Sequence, residues 1–143
     1  MSIKENVVKK CKNANEAAKD LANLGADTKN EALLAMAEAL LDRKEFILEE
    51  NEKDMEYGRE NDLPESLLDR LLLTEERIEK MADGLREVAQ FDDPIGEMIE
   101  MKKRPNGLKI GKVKVPLGVI GIIYEARPNV TVDAAGLCLK AGN

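Results

Sequence analysis

The chain contains no histidine and no tryptophan, and only two cysteines, two tyrosines and two phenylalanines among its 143 residues. Without histidine there is no Ser-His-Asp or Cys-His relay, no imidazole metal ligand and no imidazole pH switch. Chemistry must fall to carboxylates, lysine, arginine, tyrosine or backbone groups. Cys11 and Cys138 are too few for a disulfide scaffold and wrongly spaced for zinc, so no metal site is expected. Both read as reduced core thiols; Cys138 lies between Leu137 and Leu139, away from any helix amino terminus, and neither reads as a nucleophile. No apolar run approaches the roughly 20 residues that span a bilayer. The opening residues Met1-Ser2-Ile3-Lys4-Glu5-Asn6 lack an apolar signal core. A cytoplasmic protein with no membrane partner is predicted.

What is present is a globular composition, 43% hydrophobic and 35% charged, at a length that suits one domain with a sizeable core. The net charge of −6 hides a division: residues 1–100 carry a net −12, and residues 101–143 a net +6. The acidic total argues against non-specific nucleic-acid binding. A local basic excess beside glycines suits a phosphorylated small molecule, or is a solvated basic β-surface. There is no internal repeat or low-complexity tract.

From Ile3 to Leu24 the apolar residues Val7, Val8, Cys11, Ala14, Ala18 and Leu21 recur at helical spacing, and Gly25 sits where a left-handed cap is wanted. Thr28 and Glu31 form a T-x-x-E capping box that opens a long amphipathic stretch ending near Tyr57-Gly58, with a break around Lys44. Pro64 suits a first helical position for a short turn through Leu67, Leu68 and Leu71. Thr74 caps a helix that turns Ile78, Met81, Leu85 and Val88 inward, and the breakers from Phe91 to Gly96 close the helical part near residue 92.

The period then changes. Ile99, Met101, Leu108 and Ile110 alternate with charges about Arg104-Pro105-Asn106-Gly107, predicting a hairpin with one solvated face. The shift of phase to Val113 and Val115 predicts a bulge at Gly111. Residues 115–123 are almost wholly apolar, as in a strand buried on both faces of a parallel sheet. Asn129 to Ala141 reads as a helix packing Val132, Ala135 and Leu139, capped by Gly142. A parallel strand needs a neighbour returned by its crossover helix, so the chain is expected to be an incomplete part of a longer fold.

Ligands of open α/β sheets bind beyond the carboxyl ends of strands, at the amino terminus of the next helix. The segment from Tyr124 to Thr131 takes that place. Arg127 offers a charged fork to a phosphate or carboxylate, and Asn129 either caps the helix or donates to an oxyanion. Glu125 can accept from a ribose hydroxyl, or Glu125 and Arg127 pair with each other or lie in solvent. Gly118 and Gly121 form a GxxG within the strand, so the dinucleotide fingerprint G-x-G-x-x-G is absent.

The run from Val115 to Asn143, with its core IIYEARPNVTVDAA, closely resembles the γ-glutamyl phosphate reductase (glutamate-5-semialdehyde dehydrogenase) family of the aldehyde dehydrogenase superfamily. Asn51-Glu-Lys-Asp54, Leu67-Leu-Asp-Arg-Leu-Leu-Leu-Thr-Glu-Glu-Arg-Ile78 and Arg104-Pro-Asn-Gly-Leu108 resemble the same family in the same order. The resemblance implies the amino-terminal portion of an enzyme of proline biosynthesis that reduces L-glutamyl 5-phosphate with NADPH to glutamate 5-semialdehyde and phosphate. It implies a cysteine nucleophile in a downstream catalytic domain, matched by no residue here, so this fragment is expected to be inactive alone. The implied fold class is α/β and aldehyde-dehydrogenase-like: a helical amino-terminal layer (1–97), a β-hairpin resembling the bridging and oligomerisation strands (98–115), and the first strand-loop-helix of an incomplete Rossmann-like nucleotide-binding domain (116–143). Tyr124, Glu125, Ala126 and Arg127 would line the NADP site, Arg127 or Asn129 would contact the substrate or its oxyanion, and the whole enzyme would be a homo-oligomer. The alternative is a stand-alone helical interaction module that pairs through its apolar carboxyl-terminal segment.

Overall fold

The computed structural model describes residues 2–143. Its elements are α1 (Ile3–Leu21), α2 (Ala26–Asp42), α3 (Lys44–Glu60), α4 (Glu65–Leu71), α5 (Glu75–Gln90), β1 (Met98–Lys103), β2 (Lys109–Val113) and α6 (Pro128–Lys140). The periodic apolar stripes of α2 and α5 meet, so that Leu33, Ala37, Ala82, Leu85 and Ala89 form a core against which Val132 and Leu139 of α6 pack. Burial of each Leu in such a core contributes about 1.5–3 kcal/mol. Helix α3 also packs against α4, with Met55 and Leu68 buried and Gly58 facing the Leu68 side chain.

Small residues set the close approaches. A Cβ added at Gly136 of α6 would lie 2.6 Å from Leu85 Cδ2, and one at Gly58 of α3 would lie 2.9 Å from Leu68 Cδ2. Glycine at these positions costs helix propensity but lets the neighbouring helix close in. The far end of α6 is held by polar groups. Lys140, 4% exposed, donates through Nζ to Asn30 Oδ1 at 2.6 Å and to the Ala89 carbonyl at 3.1 Å. Beside it, Lys29 Nζ, wholly buried, lies 2.5 Å from Asp93 Oδ2. Burial alone would push the Asp93 carboxyl up; the Lys29 hydrogen bond, the Ile95 N–H and the charges of Lys29 and Lys140 outweigh it and hold it below its ordinary range.

Several sequence expectations are met. Thr74 Oγ1 accepts from the Arg77 N–H at the start of α5, a break falls at Arg43, and the helical region ends at Gln90. Gly142 adopts φ +69° in a Schellman cap, with Gly142 N–H donating to Leu139 O and Asn143 N–H to Cys138 O. Others are corrected. Gly25 is not a left-handed cap but the extended N-cap of α2 at φ −70°, which leaves Thr28 inside the first turn with no capping box. The realised box is Ser2 with Glu5, at the head of α1. Pro64 stands one residue earlier than expected, as the N-cap of α4. Cys11 is exposed, because α1 buries no residue.

The hairpin forms about Gly107, whose φ of +86° suits the turn, but both faces of both strands are exposed. Its irregularity lies between Met98 and Glu100, where Ile99 is the extra residue, and not at Gly111, which pairs regularly with Met101. An extra residue on the first strand shifts side-chain phase as effectively as one on the second. The largest correction concerns residues 115–123, which form no strand: Leu117 is 87% exposed and Ile123 fully so. A doubly buried strand requires ladder partners on its edges, and among the described residues the one sheet is the two-stranded hairpin. The segment instead runs extended over the end of α6, where Asn143 Oδ1 accepts from the N–H groups of Leu117 (2.6 Å) and Gly118 (2.9 Å).

Candidate functional site

The chain turns from the extended segment into α6 at Ala126, whose φ of +49° places an alanine in the left-handed region. Such a conformation costs an L-residue about 1–2 kcal/mol and is held only by its surroundings. Arg127 is the N-cap and Pro128 occupies the first turn, where its missing N–H removes a donor that had no helical partner. No side chain caps this helix and no acid lies in its first turn, so its positive end is unneutralised from within.

Asn129 is therefore not the N-cap. It lies inside the first turn and donates through Nδ2 to Asp133 Oδ2 at 3.0 Å. Tyr124, exposed, meets Thr131 Oγ1 through its hydroxyl and so ties the loop to the helix. Glu125 is exposed and, among the described residues, forms no ion pair with Arg127 or any other cation. Arg127 and Asn129 face a common cleft; Tyr124, Glu125 and Ala126 do not line it.

That cleft, about 430 Å³, separates the start of α6 from the carboxyl end of α4 and the first turns of α5. Leu72 and Leu73, in the loop that follows α4, line it, and that loop is fixed from two sides. Asn51, 5% exposed on α3, donates to Leu71 O at 2.8 Å and accepts from Leu73 N–H at 2.7 Å. Arg77 donates to Leu72 O at 2.7 Å, to Asp69 Oδ1 at 2.9 Å and to the Asp69 carbonyl. Lys80 reaches Glu76 at 2.7 Å, and that hydrogen bond with its charge holds the Glu76 carboxyl below its ordinary range. Arg70 and Arg127, which also line the cleft, make no ion pair among the described residues.

Arg70, Arg77 and Lys80 were not singled out by the sequence reading. Arg77 carried a usable signal: a cation in a helix's first turn opposes the helix dipole and so points to some other partner. Arg70 carried none, because only the fold brings the end of α4 opposite α6.

No family model matches the chain. Over all 143 residues it is 59% identical to the gamma-glutamyl phosphate reductase of Halothermothrix orenii, 60% to that of Clostridium novyi and 62% to that of Moorella thermoacetica. The chain spans 34% of each of those proteins, about a third of their length. Among solved structures, the gamma-glutamyl phosphate reductase of Thermotoga maritima superposes with a TM-score of 0.93 at 46% identity, covering 95% of this chain and 33% of that one. The reductase of Saccharomyces cerevisiae superposes with a TM-score of 0.89 at 31% identity, covering all of this chain and 36% of that one. The helix-rich arrangement with its two-stranded sheet is thus an arrangement found within these reductases.

Proposed function

We propose that this chain is the amino-terminal part of a γ-glutamyl phosphate reductase, serving the reduction of L-glutamyl 5-phosphate to glutamate 5-semialdehyde and phosphate in proline biosynthesis. The observation that carries this reading is identity of about 60% to such reductases across the entire chain. In this reading residues 1–97 are the helical layer of the cofactor-binding domain and residues 98–115 are oligomerisation strands of a homo-oligomer. Residues 116–143 open an aldehyde-dehydrogenase-like, Rossmann-like sheet, with residues 116–123 becoming a strand when the remaining two-thirds supplies its neighbours. The protein works in the cytoplasm.

NADPH is the proposed cofactor, and it would supply hydride. Tyr124, Glu125, Ala126 and Arg127 are the residues that would lie along it, and Arg127 or Asn129 would contact the substrate. The start of α6, which no side chain caps, and Arg127, which makes no ion pair among the described residues, fit an anionic ligand. Neither cysteine is proposed as the nucleophile: Cys11 is exposed on α1, Cys138 is half-buried in the last turn of α6, and neither lines the cleft at the start of that helix.

The test is a chimera in which this chain replaces the matching third of the Thermotoga maritima reductase. NADPH oxidation dependent on glutamyl phosphate should persist in the chimera and be undetectable with the 143-residue chain alone. A folded chimera without turnover, or turnover by the isolated chain, would overturn the reading.

A further inference from the structure

Along most of its length α6 meets the helical layer through small apolar groups: Val132 and Leu139 pack on the α2–α5 core, and Gly136 faces Leu85. Such a surface fixes a helix only softly, because burial of apolar area carries no direction. The close approach at Gly136 is to the tip of a leucine side chain, which can turn aside. A helix of an α/β unit is ordinarily seated on a sheet. Here the one sheet among the described residues is the hairpin, and α6 packs on α2 and α5 instead.

The carboxyl end of α6 is held differently. Lys29, Asp93 and Lys140 gather where the amino end of α2 meets the carboxyl ends of α5 and α6. Their charges do not balance: Asp93 pairs with Lys29, whereas buried Lys140 has neutral acceptors, Asn30 Oδ1 and the Ala89 carbonyl, and no carboxylate among the described residues. That carbonyl belongs to the last turn of α5, which has no basic residue of its own, so α6 supplies the cation from across the interface. The contacts continue outward. Asp93 Oδ1 accepts from the Ile95 N–H at 2.9 Å. Ile95 and Pro116 stand against Gly142, where an added Cβ would lie 3.6 Å from Ile95 Cγ1 and 3.0 Å from Pro116 Cγ. Asn143 then holds the N–H groups of Leu117 and Gly118, and the Gly96 N–H closes the hairpin root on the Lys114 carbonyl.

We propose that this buried polar cluster is a register lock: Lys140, with Lys29 and Asp93, admits one docking of α6, and through Gly142 and Asn143 sets where residues 116–118 and the hairpin root lie. Taking ammonium groups out of water is unfavourable, and packed apolar side chains of similar volume fill such places with equal or greater stability. What the charges supply is direction. A helix slipped by one turn re-forms apolar contacts of the same kind, but it pulls the Lys140 ammonium from both acceptors and leaves it against apolar neighbours. The lock needs no neighbouring strand, so the helical layer alone sets the course of residues 116–118.

Two variants of the 143-residue chain test it, Lys140→Met and the joint replacement Lys29→Met, Asp93→Leu and Lys140→Met. Both should keep the circular dichroism of the parent, and the joint replacement should keep or raise the denaturant midpoint, because no charge is left buried without a partner. In each, the α6 amides should split into more than one set of NMR signals, and the Leu117 and Gly118 amides should exchange about tenfold faster. Leu139→Ala removes apolar burial from the same turn of α6 and should do the reverse, lowering the midpoint while one set of signals remains. A single, protected set of α6 signals in either folded variant would overturn the proposal whatever the midpoint. Splitting in Leu139→Ala would overturn it as well, since any loosening of α6 would then produce it. Failure of both polar-cluster variants to fold would also overturn it, because the cluster would then carry stability and not register.

Discussion

Two stretches of this chain carry apolar residues at regular spacing and meet opposite fates. In α2 and α5 the pattern closes on itself: Leu33 and Ala82 are wholly buried, and the polar groups at the rim, Lys29, Asp93, Lys140 and Asn30, satisfy one another. From Met98 to Tyr124 the apolar content is as high, but Met98, Ile99, Leu117, Ile122 and Ile123 all face solvent. The helical stretch meets its partners within the chain, since α2, α5 and α6 each cover the others. The extended stretch has a two-stranded hairpin and one helix end to lean on, and its backbone edges have no ladder beyond the hairpin. An apolar pattern thus states which surface is made for burial, not whether the partner lies in the same chain.

That contrast breaks if the two stretches answer alike to truncation. Leu33→Ala should cost about 3–4 kcal/mol in denaturant unfolding followed by circular dichroism, because the core around it cannot fully collapse. Ile123→Ala should change the same quantity by less than about 0.5 kcal/mol, since its side chain is in water in the folded state. Equal losses would place residues 115–123 inside the cooperative core. In the chimera proposed above, the Ile123 change should become as costly as the Leu33 one.

A smaller effect sharpens the polar side of the comparison. Asp93→Asn leaves the Lys29 ammonium buried without its counter-charge and should cost about 2–3 kcal/mol, toward the low end for a broken buried pair because Asp93 keeps partial access to water. The folded-state pKa of Asp93 lies below its ordinary 3.8, so the carboxylate's contribution is fully present above the unfolded value. It is lost as the pH falls through the folded one. The unfolding midpoint of the parent chain should therefore drop below about pH 4 more steeply than that of Asp93→Asn. Parallel pH profiles would show that Asp93 is not coupled to Lys29 in solution.

The same contrast explains what the sequence made legible. Periodicity located α2, α5 and α6 because their partners are within the chain, and the breakers from Phe91 to Gly96 marked the end of the helical region. Local turn chemistry placed the hairpin at Gly107 and the cap at Gly142, where a positive φ is demanded by backbone geometry alone. It failed at Gly25 and Thr28, where two cap signals compete within four residues and the nearer glycine takes the N-cap in an extended conformation. Composition alone points to a strand at 115–123, and composition reports a surface suited to burial but is silent on pairing. At the site, Arg127 was found because it adjoins a helix start; Arg70 and Asn51 were not, because their roles depend on α3 and α4 docking beside α5. Lys29 and Lys140 defeated the rule that lysines are solvated, since nothing local in the sequence announces the carboxylate and carbonyls that wait for them.

Helix α1 lies between the two fates and gives the finest test. It is amphipathic, yet it buries no residue, and it faces Val119, Ile120 and Cys138 across a groove of about 230 Å³. With so little tertiary support its stability must lean on local terms, chiefly the reciprocal Ser2–Glu5 capping box. Ser2→Ala should remove about 0.5–1 kcal/mol from α1. Because that loss is not shared with the core, it should appear as faster amide exchange in residues 3–9 with the global unfolding midpoint unchanged. A shift of the global midpoint instead would mean that α1 unfolds together with α2 and α5, and that the groove beside Val119 is closed in solution tightly enough to couple them.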